Sequence, residues 1–113
     1  SEAIAKEKWQ GRVDYFSVDC EPPEVTFKAL KAFPHDDFRA SVITFEHDSY
    51  KDGDTIRDHS RQFLENLGYQ LVCASVCNGG NAYEDWWVDP TVVKDSVWKP
   101  FECVDEEARK ILL

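Results

Sequence analysis

The sequence predicts an α/β domain with a mostly parallel sheet and an antiparallel edge hairpin. Three observations predict it. Residues 13–18 and 42–45 are runs rich in β-branched and aromatic residues, each followed by a segment with helical spacing. Residues 69–76 and 83–88 form two more such runs, separated by a short turn containing Asn78-Gly79-Gly80-Asn81. Strands that alternate with helices imply right-handed βαβ crossovers, and the closing hairpin supplies an antiparallel edge.

Each element has its own justification. Residues 1–10 are polar and helix-permissive, with Ala3, Ile4 and Trp9 apolar, and predict a short helix ending before Gly11. In residues 13–18 the apolar side chains do not simply alternate, which predicts a strand buried on both faces. Asp19-Cys20-Glu21 ends that strand, and Pro22-Pro23 suits the first turn of a helix. Val25, Ala29, Ala32 and Phe33 then recur at helical spacing until Pro34 and Asp36-Asp37. Residues 38–45 hold the second buried strand, ended by Glu46-His47-Asp48. Asp52-Gly53-Asp54 offers a turn and a cap. Ile56, Ser60, Phe63, Leu64 and Leu67 form an amphipathic stripe, closed by Gly68 as a left-handed cap. After the hairpin, Pro90 stops the fourth strand and residues 92–101 are irregular and aromatic. Asp105 is expected to cap a last helix that carries Arg109-Lys110 late, as the helix dipole favours.

Composition narrows the function. The 113 residues suffice for one domain and not for two cores. A net charge of −9 argues against nucleic acid or anionic lipid as a partner. No apolar run reaches the roughly 18–20 residues of a membrane span, and the first residues lack signal-peptide shape, so a cytoplasmic, membrane-free protein is expected. The lack of methionine hints at a piece of a longer chain. Of four cysteines, Cys73 and Cys77 are three residues apart with no zinc-type second pair. Buried, reduced thiols are the expectation. The alternative is a disulfide from Cys73 or Cys77 to another cysteine in a secreted protein.

Both buried strands end in acids: Asp19 and Glu21 on the first, Glu46, His47 and Asp48 on the second. Ligands of open α/β sheets bind at the carboxyl ends of the strands. Neighbouring strands would set four carboxylates and an imidazole on one rim, able to hold a hard cation, accept a proton or bind sugar hydroxyls. The competing reading is that these acids only cap the following helix or close a turn. In Glu84-Asp85-Trp86-Trp87, strand alternation predicts one packed and one exposed tryptophan, with Asp85 on the same rim as Glu46. His35 and His59 read as surface residues. No P-loop, other glycine-rich phosphate loop or G-x-S-x-G elbow occurs.

These residues carry a resemblance. The run from Val13 through Asp14-Tyr15-Phe16-Ser17-Val18-Asp19-Cys20-Glu21 resembles the "D-x-L-S-x-D-x-E" strand of FkbM-type S-adenosylmethionine-dependent methyltransferases. Val42-Ile43-Thr44-Phe45-Glu46-His47-Asp48 resembles their next strand, Arg61, Leu64 and Gly68-Tyr69 the helix and turn after it, and Glu84-Asp85-Trp86-Trp87-Val88 the late "E/D-D-W-x-V" strand. The resemblance spans roughly residues 10–93 and departs from much of the family at Glu21-Pro22-Pro23. It implies a partial Rossmann-like fold, the C-terminal, substrate-side half of the methyltransferase domain. The N-terminal half with its cofactor-binding glycine loop would be absent.

The resemblance implies methyl transfer from S-adenosylmethionine to a hydroxyl, on a sugar or natural product, once a cofactor-binding half completes the site. Asp19, Glu46 and His47 are the expected catalytic residues, with Asp19 at the cofactor–substrate junction. Glu21, Asp48, Asp85 and Trp86 would bind substrate. The strand at 13–18 would have a bare edge and favour a homodimer. Two rivals are a non-catalytic binding or assembly module, and a metal-dependent enzyme using the acidic rim.

Overall fold

The computed structural model describes residues 11–111. The helix expected in residues 1–10 lies outside them. The described elements are β1 (Gly11–Val18), α1 (Pro23–Ala32), β2 (Phe38–Glu46), α2 (Ser49–Asp52), α3 (Thr55–Asn66), β3 (Gln70–Asn78), β4 (Asn81–Val88), α4 (Asp95–Trp98), a 3-10 turn (Lys99–Phe101), β5 (Cys103–Val104) and α5 (Ala108–Ile111). The α/β class and the four long strands agree with the sequence reading. The short α2, α4 and β5 are additions that no periodic pattern announces.

The five strands form one sheet in the order β1-β2-β4-β3-β5. β1 pairs with β2 in parallel, and β5 with β3 likewise, while β4 runs antiparallel to both β2 and β3. The sheet is therefore mixed, not mostly parallel. The β3–β4 hairpin forms, but its second strand is not an edge: it is inserted between β2 and β3. Hydrophobicity dictates this. Trp87 is 1% exposed and needs cover on both sides, which Ile43 and Leu71 supply as its cross-strand neighbours.

Alternation along the strands divides two cores. Ile43, Phe45 and Trp87 face α1 and α3, where they meet Leu30 and Leu64. Phe27 and Phe63 join the two helices edge-to-face at 6.0 Å. On the other face Val72, Val88 and Trp98 form a smaller core with Val42 and Val93. β1 corrects the expectation of burial on both faces. It is an edge strand, with Val18 buried but Tyr15 55% exposed. In α1 the buried stripe is Pro23, Thr26 and Leu30, not the one through Val25, which is exposed. Thr26 turns inward because its hydroxyl donates to the Cys20 carbonyl.

Caps differ from expectation in two places. Asp54 precedes α3 without capping it through its side chain and instead pairs with Arg57 at 3.0 Å. Asp105 adopts a left-handed turn (φ +52°) and lies before α5 rather than capping it. Gly68 does what its position predicts, with φ +86° at the end of α3. A β-carbon there would also lie 3.3 Å from the Arg39 guanidinium.

Cys73 and Cys103 form a disulfide between β3 and β5, with Cα atoms 4.8 Å apart. This overturns the expectation of four reduced thiols. The Cys103 partner strand is two residues long, too short to be read from sequence. Cys20 is free and exposed, and Cys77 free and buried. Among the described residues no helix is long and apolar enough to cross a membrane.

Candidate functional site

The parallel register of β1 and β2 sets Val18 opposite Phe45, so both strands release their acids at the same end of the sheet. One carboxylate oxygen each from Glu21, Glu46 and Asp48 lies within 4.8 Å of the others. Glu46 also hydrogen-bonds the side chains of Asp19 and Asp48. Burial, reinforced by those bonds and by repulsion from the two aspartates, pushes the Glu46 carboxyl up to about 8. At neutral pH it holds its proton and donates it within the cluster. It becomes a carboxylate, and so a base, as pH rises through about 8.

β4 adds a fifth acid. Its antiparallel register sets Glu84 opposite Glu46. Burial raises the Glu84 carboxyl too, although the Trp86 indole N–H donates to it at 2.7 Å. Sequence reasoning singled out Asp85 from this run and missed Glu84 as a rim residue. Strand alternation fixes that one of the two faces the rim, but only the register tells which.

Asp85 lies inside, wholly buried. Its Oδ1 accepts from the Ser75 N–H at 2.8 Å, from Arg61 Nη2 at 2.9 Å and from His47 Nε2 at 3.0 Å. Its Oδ2 accepts from Arg61 Nε at 2.8 Å. Burial alone would raise the Asp85 carboxyl, but the bonds from Arg61 and His47 outweigh it and hold the group below the usual range. Ser75 reaches this position through a left-handed backbone (φ +62°) where the β3–β4 register shifts.

His47 is equally enclosed. Its Nδ1 accepts from the Ser49 N–H at 3.1 Å while Nε2 donates to Asp85. One ring nitrogen accepts and the other donates, which describes a neutral imidazole. Its side chain is 0% exposed, so it has no open face toward the rim. The structure thus brings together Asp19, Glu21, Glu46 and Asp48. It does not bring His47 and Asp85 to the rim: both are buried and bonded to each other. Trp86 sits on the opposite face from Asp85, beside Thr44 in an apolar cavity with Trp98 and Phe101. Trp87 is the packed member of the pair, but Trp86 is half-buried and not exposed as expected.

Beside the rim lies a polar cavity of about 200 Å³. Glu46, Asp48, Tyr50, Asn78, Asn81 and Tyr83 line it. Asp48 is held there by a left-handed backbone (φ +48°) and by its N–H bond to the Tyr83 carbonyl at 2.9 Å. Tyr50, Asn78, Asn81 and Tyr83 come from three separate segments, and nothing in their sequence spacing marks them. His35 is not a plain surface residue: its Nε2 lies 2.7 Å from the Leu30 carbonyl and its ring tilts against Phe33.

Four of the five glycines (Gly53, Gly68, Gly79 and Gly80) lie in turns with positive φ, and none of these turns leads a strand into a helix at the rim. The turn at the rim, from β1 into α1, is Asp19-Cys20-Glu21-Pro22, and its proline offers no N–H. What the site offers chemically is proton acceptance and hydroxyl binding. Comparison with protein-family models, with curated proteins and with solved structures finds no match to this chain.

Proposed function

We propose that this chain is the acceptor side of an O-methyltransferase of the FkbM type, a half-domain with a partial Rossmann-like arrangement. The observation that carries the reading is the meeting of Asp19, Glu21, Glu46 and Asp48 at the carboxyl ends of two adjacent parallel strands. In this reading Glu46 accepts the proton of a hydroxyl nucleophile in its deprotonated form, which grows as pH approaches about 8. Asp48 and Glu21 orient the acceptor, and Asp19 stands on the side where a methyl donor would approach. His47 and Asp85 fix the rim from behind, acting through Glu46 and Asp48. The methyl donor would be held by residues from outside this half. A second copy paired at the β1 edge is the proposed source. Among the described residues that edge, eight residues long, pairs on one side.

The test is calorimetry with S-adenosylmethionine, with the solution mass determined on the same sample. The expected result is a dimer that binds the compound at micromolar affinity and loses that affinity in D19N. A monomer, or a dimer silent at millimolar ligand, would overturn the enzyme reading and favour a non-catalytic binding module. The spacing of Glu21, Glu46 and Asp48 also favours a second reading, a hard-cation site. A bound cation would expel the Glu46 proton. A melting shift with only one of magnesium, calcium or manganese would carry that reading over the first.

A further inference from the structure

The C-terminal segment after the 3-10 turn lies along the outer edge of β3. Among the described residues its attachments are few. β5 contributes a two-residue ladder, Cys73 opposite Cys103 and Ala74 opposite Val104. The Asp105 N–H donates to the Ala74 carbonyl at 2.9 Å, and the Cys77 N–H donates to the Glu106 carbonyl at 2.8 Å. Little apolar burial adds to them, since Val104 is 72% exposed. The four-residue α5 is far too short to be stable alone. The Cys73–Cys103 disulfide is the covalent tie among these contacts.

The segment ends its run at the hairpin turn. The Glu107 carboxylate accepts from the Gly79 N–H at 2.9 Å and from the Gly80 N–H at 3.1 Å. Those two glycines have φ of +59° and +83°, a backbone that side-chain-bearing residues rarely adopt. The residues flanking them, Asn78 and Asn81, are the two that line the polar cavity beside Glu46 and Asp48. One continuous path therefore leads from the disulfide through residues 103–107 to the wall of the site.

We infer that the Cys73–Cys103 disulfide is a redox latch that holds the Asn78–Asn81 turn, and with it one wall of the acidic cavity, in place through Glu107. Reduction needs a dithiol. Two electrons and two protons convert the bridge into the thiols of Cys73 and Cys103, while the dithiol closes to its own disulfide. Among the described residues the freed segment then keeps its short ladder and a few hydrogen bonds, and it frays. Glu107 leaves Gly79 and Gly80, and the turn loosens. Cys77 takes no part: it is buried, and burial pushes its thiol up, away from the reactive thiolate. The inference deepens the acceptor-site reading as a regulation of that site and rests on it for its meaning.

The experiment uses the folded protein with and without dithiothreitol, combining thiol alkylation with amide hydrogen exchange. Reduction is expected to add two alkylated thiols, at Cys73 and Cys103. The amides of Cys77, Gly79, Gly80 and Asp105 then exchange about tenfold faster, while those of residues 42–45 in β2 stay unchanged. C103S should reproduce the fast exchange without reductant. E107Q should speed Gly79 and Gly80 but not Asp105. No gain of thiols, or a gain with Gly79 and Gly80 unmoved, overturns the latch. Failure of the acceptor-site reading appears elsewhere, in the calorimetry, because exchange at the turn requires no ligand.

Discussion

Replacing Asp85 by alanine is expected to destabilise the fold by about 3–5 kcal/mol, the usual result of removing one partner of a buried ion pair. Four donor contacts converge on this carboxylate from Arg61, His47 and the Ser75 N–H. They come from α3, from the end of β2 and from the bulged stretch of β3. Alanine leaves the Arg61 guanidinium with Ser75 Oγ at 3.0 Å as its remaining side-chain partner, and leaves the Ser75 N–H buried without an acceptor. It also frees the buried His47 ring, which keeps the Ser49 N–H as its bonded partner. Urea unfolding of D85A measures the cost. A loss below about 1 kcal/mol would contradict the description of Asp85 as the centre of the sheet's polar interior.

The second large effect belongs to Asp89, just after β4. Its Oδ2 accepts from Arg12 and Arg39, each at 2.7 Å, and its Oδ1 accepts from Thr91. Arg39 in turn donates to the Leu67 carbonyl at 2.6 Å and lies over the Tyr69 ring. One wholly buried carboxylate thus ties β1, β2 and the turn after α3 together. D89N removes the negative partner of two guanidiniums that are themselves partly exposed, so a cost of about 2–3 kcal/mol is expected. Burial would raise the Asp89 carboxyl, but Arg39, Thr91 and Arg12 together hold it well below its ordinary 3.8. A depressed carboxyl stabilises the fold fully above its unfolded value and loses that stabilisation as pH falls through the folded one. Wild-type stability should therefore fall steeply as pH drops below about 4. In D89N that acid limb should be shallower. Equal slopes in denaturant titrations between pH 2 and pH 6 would contradict the assignment.

What the sequence made legible follows from period. The strands β1 to β4 and the helices α1 and α3 have clear apolar patterns, and each appears close to its expected limits. Val18 and Phe45 end strands in acids, so the rim could be read before any coordinates. Pairing is a different matter. Whether β4 lies at the edge or between β2 and β3 depends on which neighbours can cover Trp87, a long-range competition that local spacing does not encode. The same holds for the site. Asp19, Glu21, Glu46 and Asp48 were visible because their strands place them. His47 and Asp85 read as rim residues because polarity suggests exposure, yet Arg61 and Ser75 provide partners that make their burial stable. Those partners come from α3 and from a β3 bulge. The disulfide was hidden for a similar reason: Cys103 lies in a two-residue strand with no periodic signature.

The central claim is that the ends of β1 and β2 make one coupled acidic site, with Glu46 as its proton-holding member. The most direct measurement is the titration of the Glu46 side-chain carboxyl followed by carbon NMR, in the wild type and in D48N. The predicted midpoint is about 8 in the wild type, and lower in D48N, where burial and Asp19 remain but one repelling neighbour is gone. The sign carries to stability. A carboxyl held above its ordinary 4.5 costs the native state stability as pH rises from about 4.5 through 8, so the fold should weaken across that window and level off above it. A Glu46 midpoint near 4.5, unmoved by D48N, would show that the carboxylates do not meet, and the proposed acceptor site would lose its base.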